Sequence, residues 1–254
     1  MNTNRFRSAL VWLLGVYVVW EAAAWSLVAL HDPMAAVKLP YLHVVVGTFV
    51  TNAGALTEAA AVTFGQAAFG FVLGAAVGYA LAVVMSASRA AERIAYPYLI
   101  LSQMIPVLGL APIIFNLVRD MDASRVVIAA YITFFPVAAN ALSGFRAVEP
   151  DKKQLLHSYA ARRTTLYAKL LIPFSLPYLF AGLKIAAPLS VTASILVDML
   201  GSKNGIGVKL IYALYGGQND VFWAAVMTSA AMGIVSYLVI AAVEKLLMPW
   251  KKNV

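Results

Sequence analysis

Six apolar runs constrain this chain more than any other feature: residues 9–30, 61–87, 98–118, 125–145, 177–200 and 221–248. Each is close to the ~20 residues that a bilayer-crossing helix needs. The whole chain is 62% hydrophobic and 12% charged over 254 residues, against roughly 25% charged residues in soluble domains. No single globule of this length can hide so much apolar surface, so the bilayer has to act as its solvent. The runs are helix-length, and in lipid a helix satisfies its own backbone. We therefore expect an all-α polytopic membrane protein of about six transmembrane helices, forming one transmembrane domain over residues 1–254.

Charge sets the expected orientation. With six spans both termini share a side. That side carries Arg5, Arg7, Arg89, Arg93, Arg146, Lys152, Lys153, Arg162, Arg163, Lys169, Lys245, Lys251 and Lys252. The other side holds only Lys38, Arg119, Arg125, Lys203 and Lys209, and Lys184 falls inside the fifth span. The positive-inside rule then places both termini, and the long loop 147–172, in the cytoplasm. The formal charge of +8 is thus a topological signal and calls for no nucleic-acid partner. Arg5 and Arg7 before an apolar run that reaches Ala22-Ala23-Ala24 resemble a secretory signal. Glu21, and the continuation through Trp25 to Leu30, favour a retained first helix.

Several chemistries are absent from the sequence. There is no cysteine, hence no disulfide framework and no thiolate metal site. His31, His43 and His157 are scattered over both sides, and no Ser or Thr has an evident base partner. Gly201, Gly205 and Gly207 lack the spacing and the Lys-Ser or Lys-Thr ending of a phosphate-binding loop. We expect no enzyme and no cofactor in this chain.

The longest polar interruption is AVEPDKKQLLHSYAARRTTLYAKLLI, residues 147–172. Leu155, Leu156 and Tyr159 recur at helical spacing, as do Leu166, Leu170 and Ile172, with basic residues between them. Two readings are open: helices lying on anionic lipid, or helices offered to a partner. Within the spans, Gly70, Gly74 and Gly78 leave one helix face bare for close backbone approach. Pro106, Pro112, Pro136 and Pro188 each free a carbonyl and favour a bend. Glu21, Gln103, Asn140 and Asp198 are costly in lipid, so they are expected to face the bundle or a pathway. Lys184 is expected to snorkel to the cytoplasmic headgroups.

Taken together, these residues resemble the transmembrane permease subunit of a bacterial ATP-binding-cassette importer, in the binding-protein-dependent inner-membrane family. The branch most similar serves nitrate, sulfonates, taurine, riboflavin and pyrimidine-type vitamin precursors. The resemblance runs over nearly the whole chain. It is carried by Trp20-Glu21 and Leu39-Pro40 (Leu42 standing where a second Pro is usual), and by Thr63, Gly70, Phe71, Leu73, Gly74 and Gly78. Further along come Ser102-Gln103-Met104-Ile105-Pro106 with Leu110-Ala111-Pro112, then Phe134-Phe135-Pro136 with Asn140, Gly144 and Arg146. Gly182-Leu183-Lys184-Ile185-Ala186 and Asp198…Gly205-Ile206-Gly207 complete it.

The family's cytoplasmic coupling loop reads Glu-Ala-Ala, three residues, Gly, and about a dozen residues to Leu-Pro. Counting back from Ile172-Pro173 puts the Glu-Ala-Ala at Gln154-Leu155-Leu156 and the Gly at Ala160. Only the Pro173 end, Ala161, Arg163 and the apolar rhythm survive. Because Ala tolerates positive φ poorly, either Ala160 stays helical and the turn moves towards residues 162–165, or the two helices meet at another angle.

The resemblance implies a type I importer permease fold and a separate ATPase subunit that binds ATP and Mg. Leu155, Leu156 and Tyr159 would anchor that subunit, with Arg162 and Arg163 meeting its acidic rim or lipid phosphates. It also implies an extracytoplasmic solute-binding protein seated on loops 39–58 and 202–220, and a second copy of this chain. An ion-coupled secondary transporter using Glu21 and Asp198, and a membrane-bound substrate-binding component of a vitamin importer, are the alternatives.

Overall fold

The computed structural model describes residues 3–31 and 33–249, with side chains omitted at 3–6, 9, 10, 13 and 36. The charges at Lys251 and Lys252, and the side chain of Arg5, lie outside these residues. Among the described residues there are helices and no strand. In chain order they are α1 (Thr3–Ala29), α2 (Ala35–Lys38), α3 (Leu42–Thr51), α4 (Ala53–Ala87), α5 (Arg89–Met104) and α6 (Val107–Val118). Then follow α7 (Met121–Arg146), α8 (Pro150–Ser158), α9 (Arg163–Leu166), a π-helical stretch (Tyr167–Leu171), α10 (Ile172–Met199), α11 (Ile206–Tyr215) and α12 (Asn219–Leu247).

Among the described residues, four helices are long and apolar enough to cross a bilayer: Ala53–Ala87, Met121–Arg146, Arg163–Met199 and Asn219–Leu247. They match the second, fourth, fifth and sixth expected spans. α1 is 27 residues long and covers the first. The third differs from expectation: instead of one helix over 98–118, α5 and α6 meet at a 100° bend. Pro106 sits at that break, where its ring and missing N–H end one helix and its fixed φ opens the next. Pro112, Pro136 and Pro188 lie inside continuous helices, so only one of the four prolines breaks its span. The loops 39–58 and 202–220 also hold more order than their sequence suggests, in α3 and α11.

α7 is packed between α4 and α10, and glycine explains how closely. A Cβ at Gly70 would lie 2.6 Å from Ala129 Cβ, and one at Gly74 would lie 2.8 Å from Thr133 Cβ. The bare stripe on α4 is therefore the seat of the α7 backbone, as small residues permit between membrane helices. At the end of this bundle that carries the loop 147–172, Ala82, Met85, Leu99, Ala138, Leu142, Phe145, Val148 and Leu171 form one buried cluster. A second cluster joins α3, α4, α10, α11 and α12 at the other end.

Candidate functional site

The hairpin 147–172 is built by ordinary helix punctuation. Pro150 starts α8 in its first turn, where a missing N–H is harmless. α8 ends in a Schellman turn: Ala160 N–H donates to His157 O at 2.9 Å, and Ala161 N–H donates to Leu156 O at 3.1 Å. That motif requires a left-handed residue at its centre, normally glycine. Ala160 supplies it, with φ 51°. Ala160 therefore does not stay helical, and the turn does not move towards 162–165. The turn stands where the coupling-loop Gly would be, with an alanine held in the glycine conformation. The paired 6→1 and 5→2 hydrogen bonds offset the strain.

One side of the hairpin is fixed to the bundle. Leu166, Tyr167 and Leu170 pack against the buried cluster of Met85, Leu142 and Phe145. Ser86 Oγ and Tyr167 Oη share a hydrogen bond at 2.9 Å, and Phe145 meets Tyr167 edge-on. Lys152 Nζ lies 5.5 Å from the centre of the Phe174 ring, one residue past Pro173, which sits in the first turn of α10. The other side is open. Leu155 is 57% exposed and Tyr159 75%, beside exposed Gln154, Arg162 and Arg163 and half-buried Leu156 and Ala161. Exposed apolar residues thus stand among cations on a base that is packed into the bundle.

The four polar residues expected inside the spans do not converge. Asn140 donates from Nδ2 to Pro136 O within α7 at 2.7 Å and packs beside Gly182. Glu21 Oε1 pairs with His43 Nδ1 at 3.0 Å and accepts the His43 N–H. Gln103 is exposed on the last turn of α5, beside the break.

Asp198 is fully buried. Its Oδ1 forms an ion pair with Arg125 Nε at 3.0 Å. Its Oδ2 accepts from Thr63 Oγ1 at 2.6 Å and from Gly207 N–H at 3.3 Å. Thr63 Oγ1 in turn accepts from Ile206 N–H at 2.9 Å. Arg125 Nη2 donates to Asn204 O at 2.9 Å. α4, α7, α10 and the start of α11 are thereby tied at one end. Gly205 is forced here: its φ is 126°, and a Cβ would meet Asp198 Cγ at 2.6 Å.

Two charged residues have places that the sequence reading did not give them. Arg125, counted as a loop charge, is buried in this network. Lys184 does not snorkel: its Nζ lies 2.7 Å from Glu244 Oε2, in a partly buried pair that joins α10 to α12 and brings in a carboxylate the reading overlooked. Both pairs have a faint signature, an acid and a base near the same end of two different spans, because a lone charge there would be uncompensated.

Comparison with known proteins agrees with this architecture. The family described as the binding-protein-dependent transport system inner membrane component matches residues 70–248. The formylaminopyrimidine transport permease protein ThiX of Halalkalibacterium halodurans is 29% identical over 184 residues, 72% of this chain and 74% of that protein. The putative aliphatic sulfonates transport permease protein SsuC of Bacillus subtilis is 22% identical over 233 residues, 91% of this chain and 84% of its own length. A crystal structure of an amino acid ABC transporter with histidines superposes with a TM-score of 0.63 at 16% identity, covering 79% of this chain and 95% of that one. The chain belongs to the binding-protein-dependent transport system inner membrane component family, and is a multi-pass permease subunit of an ATP-binding-cassette importer.

Proposed function

We propose that this permease carries a small vitamin-like heterocycle, such as riboflavin or a thiamine-precursor pyrimidine, in preference to a sulfonate, taurine or nitrate. The solute is delivered by an extracytoplasmic binding protein to a dimer of this chain. Two ATPase subunits, which hold the ATP and Mg, grip the hairpin 147–172 from the cytoplasm, the side that also holds both termini. The observation that carries this reading is the hairpin: Leu155 and Tyr159 stand exposed on one side, while Leu166, Tyr167, Leu170 and Leu171 pack into the bundle on the other. A pull on the free side is transmitted through the π-helical stretch into α10, which packs along α7. Nucleotide binding shifts a two-state equilibrium, and the permease contributes the bistable element.

Gln154, Leu155, Leu156, Tyr159, Ala160 and Ala161 form the coupling surface, with Arg162 and Arg163 at its rim and Pro173 marking entry into the span. A proton-coupled route through Asp198 is disfavoured by the cation already paired with it. The test is co-purification: the tagged chain retains an ABC ATPase, and the triple replacement of Leu155, Leu156 and Tyr159 by Asp releases it while the permease stays folded. Retention of the ATPase by the triple variant would sink the proposal.

A further inference from the structure

The break between α5 and α6 leaves its tip exposed at a 100° bend. Tyr131 lies ten residues into the 26-residue α7, so roughly 15 Å from its start at 1.5 Å per residue. Tyr131 Oη donates to Ser102 O, which fixes the break near the middle of the bundle's depth. At a helix end the last carbonyls have no intrahelical partner, and irregular backbone at membrane depth is tolerated only against protein or a water-filled cavity. Ser102 O is taken by Tyr131. Beside it, Gln103 is exposed, and Tyr98, Met104 and Ile105 are 69%, 71% and 47% exposed.

The electrostatics around this break are equally specific. From residue 94 to residue 118 the chain has no Asp, Glu, Lys, Arg or His. The charges buried elsewhere in the spans are already neutralised: Arg125 by Asp198 at 3.0 Å and Lys184 by Glu244 at 2.7 Å. An anion at mid-depth would find no counter-charge and would have to shed its water uncompensated. A neutral solute with N–H or O–H groups would find carbonyl acceptors and the Gln103 amide.

We propose that the α5–α6 break, with Gln103 at its tip, is a solute-contacting station on the translocation route, and that it passes neutral hydrogen-bonding solutes and excludes anions such as sulfonates. This rests on the permease reading above, and refines it by naming the class of solute and the place where it is sorted. Gln103 is a positioning group that offers one donor face and one acceptor face.

The chain has no cysteine, so single cysteines report without background. Gln103→Cys and Met104→Cys are compared with Tyr215→Cys, an 83% exposed reference beyond the spans, and Val72→Cys, on the 60% exposed apolar face of α4. Full-length variants in permeabilised membrane vesicles are treated with a neutral hydroxyethyl methanethiosulfonate and with its sulfonatoethyl counterpart, itself a sulfonate. Rates are normalised to Tyr215→Cys. The expected result is that Gln103→Cys or Met104→Cys reacts with the neutral reagent at least about tenfold faster than with the sulfonate, while Val72→Cys reacts with neither. Equal or faster reaction with the sulfonate would overturn the neutral class. Silence at both elbow positions would place the break against lipid and overturn the site. Neither result depends on the ATPase, so a failure to co-purify it would count against the permease reading alone.

Discussion

Ala160→Gly is the substitution whose sign the structure decides. Ala160 holds φ 51° at the centre of a Schellman turn, and for an L-residue with a Cβ the left-handed region costs about 1–2 kcal/mol. Glycine removes that strain, but it gives the unfolded chain more freedom, a loss of about 0.4–1 kcal/mol. The difference is a gain of about 0.5–1 kcal/mol in the free energy of opening the turn, or roughly two- to fivefold slower local exchange. Had the chain stayed helical through residue 160, the same change would cost about 1 kcal/mol, and exchange would speed up. The assay is hydrogen exchange by mass spectrometry on peptides covering 155–165, with the full-length chain in nanodiscs and intrinsic rates corrected for glycine. Slower exchange at residues 160 and 161 is the expected outcome. Faster exchange would refute the left-handed turn, and with it the geometry assigned to the hairpin 147–172.

Arg125→Met leaves Asp198 buried without its cation and is expected to destabilise the protein by about 3–5 kcal/mol; the double variant Arg125→Met, Asp198→Leu should recover much of that loss in a detergent thermal-unfolding assay. Lys184→Met should behave alike but more mildly, since its pair with Glu244 is partly exposed, and Glu244→Gln added to it should restore expression. Gly74→Leu has no room against Thr133 and the α7 backbone, so it should abolish accumulation of folded protein, whereas Gly109→Ala, with nothing within 4 Å of the added carbon, should leave it unchanged. Equal accumulation of the Gly74→Leu and Gly109→Ala variants would mean that α4 and α7 do not pack as described.

Long spans were legible because apolar length is a strong signal in itself. The boundaries of α4, α7, α10 and α12 fall within a few residues of those read from the runs, except at the start of α4, eight residues earlier. What failed to show was the choice among equivalent signals. Four prolines have the same local chemistry, yet only Pro106 breaks its helix, because tertiary packing carries α7 and α10 straight through theirs. α3 and α11, ten residues each, are too short to be read as spans. The distance to Pro173 marked Ala160 as the place of the family's Gly, but the turn there was not legible: propensity argues against a left-handed alanine, and two hydrogen bonds overrule it. The pairs Arg125–Asp198 and Lys184–Glu244 join residues 73 and 60 positions apart, and no local pattern encodes such a contact.

If a separate engine works this gate from the cytoplasm through the free side of the hairpin, a single thiol on that side reports it. Tyr159→Cys, the sole thiol in its chain, is exposed to a membrane-impermeant maleimide in intact cells, in inverted vesicles, and in inverted vesicles with the ATPase bound. The expected result is no reaction in cells, rapid reaction in inverted vesicles, and protection when the ATPase is present. Reaction in intact cells, or an unchanged rate with the ATPase bound, would rule out a cytoplasmic engine gripping this hairpin.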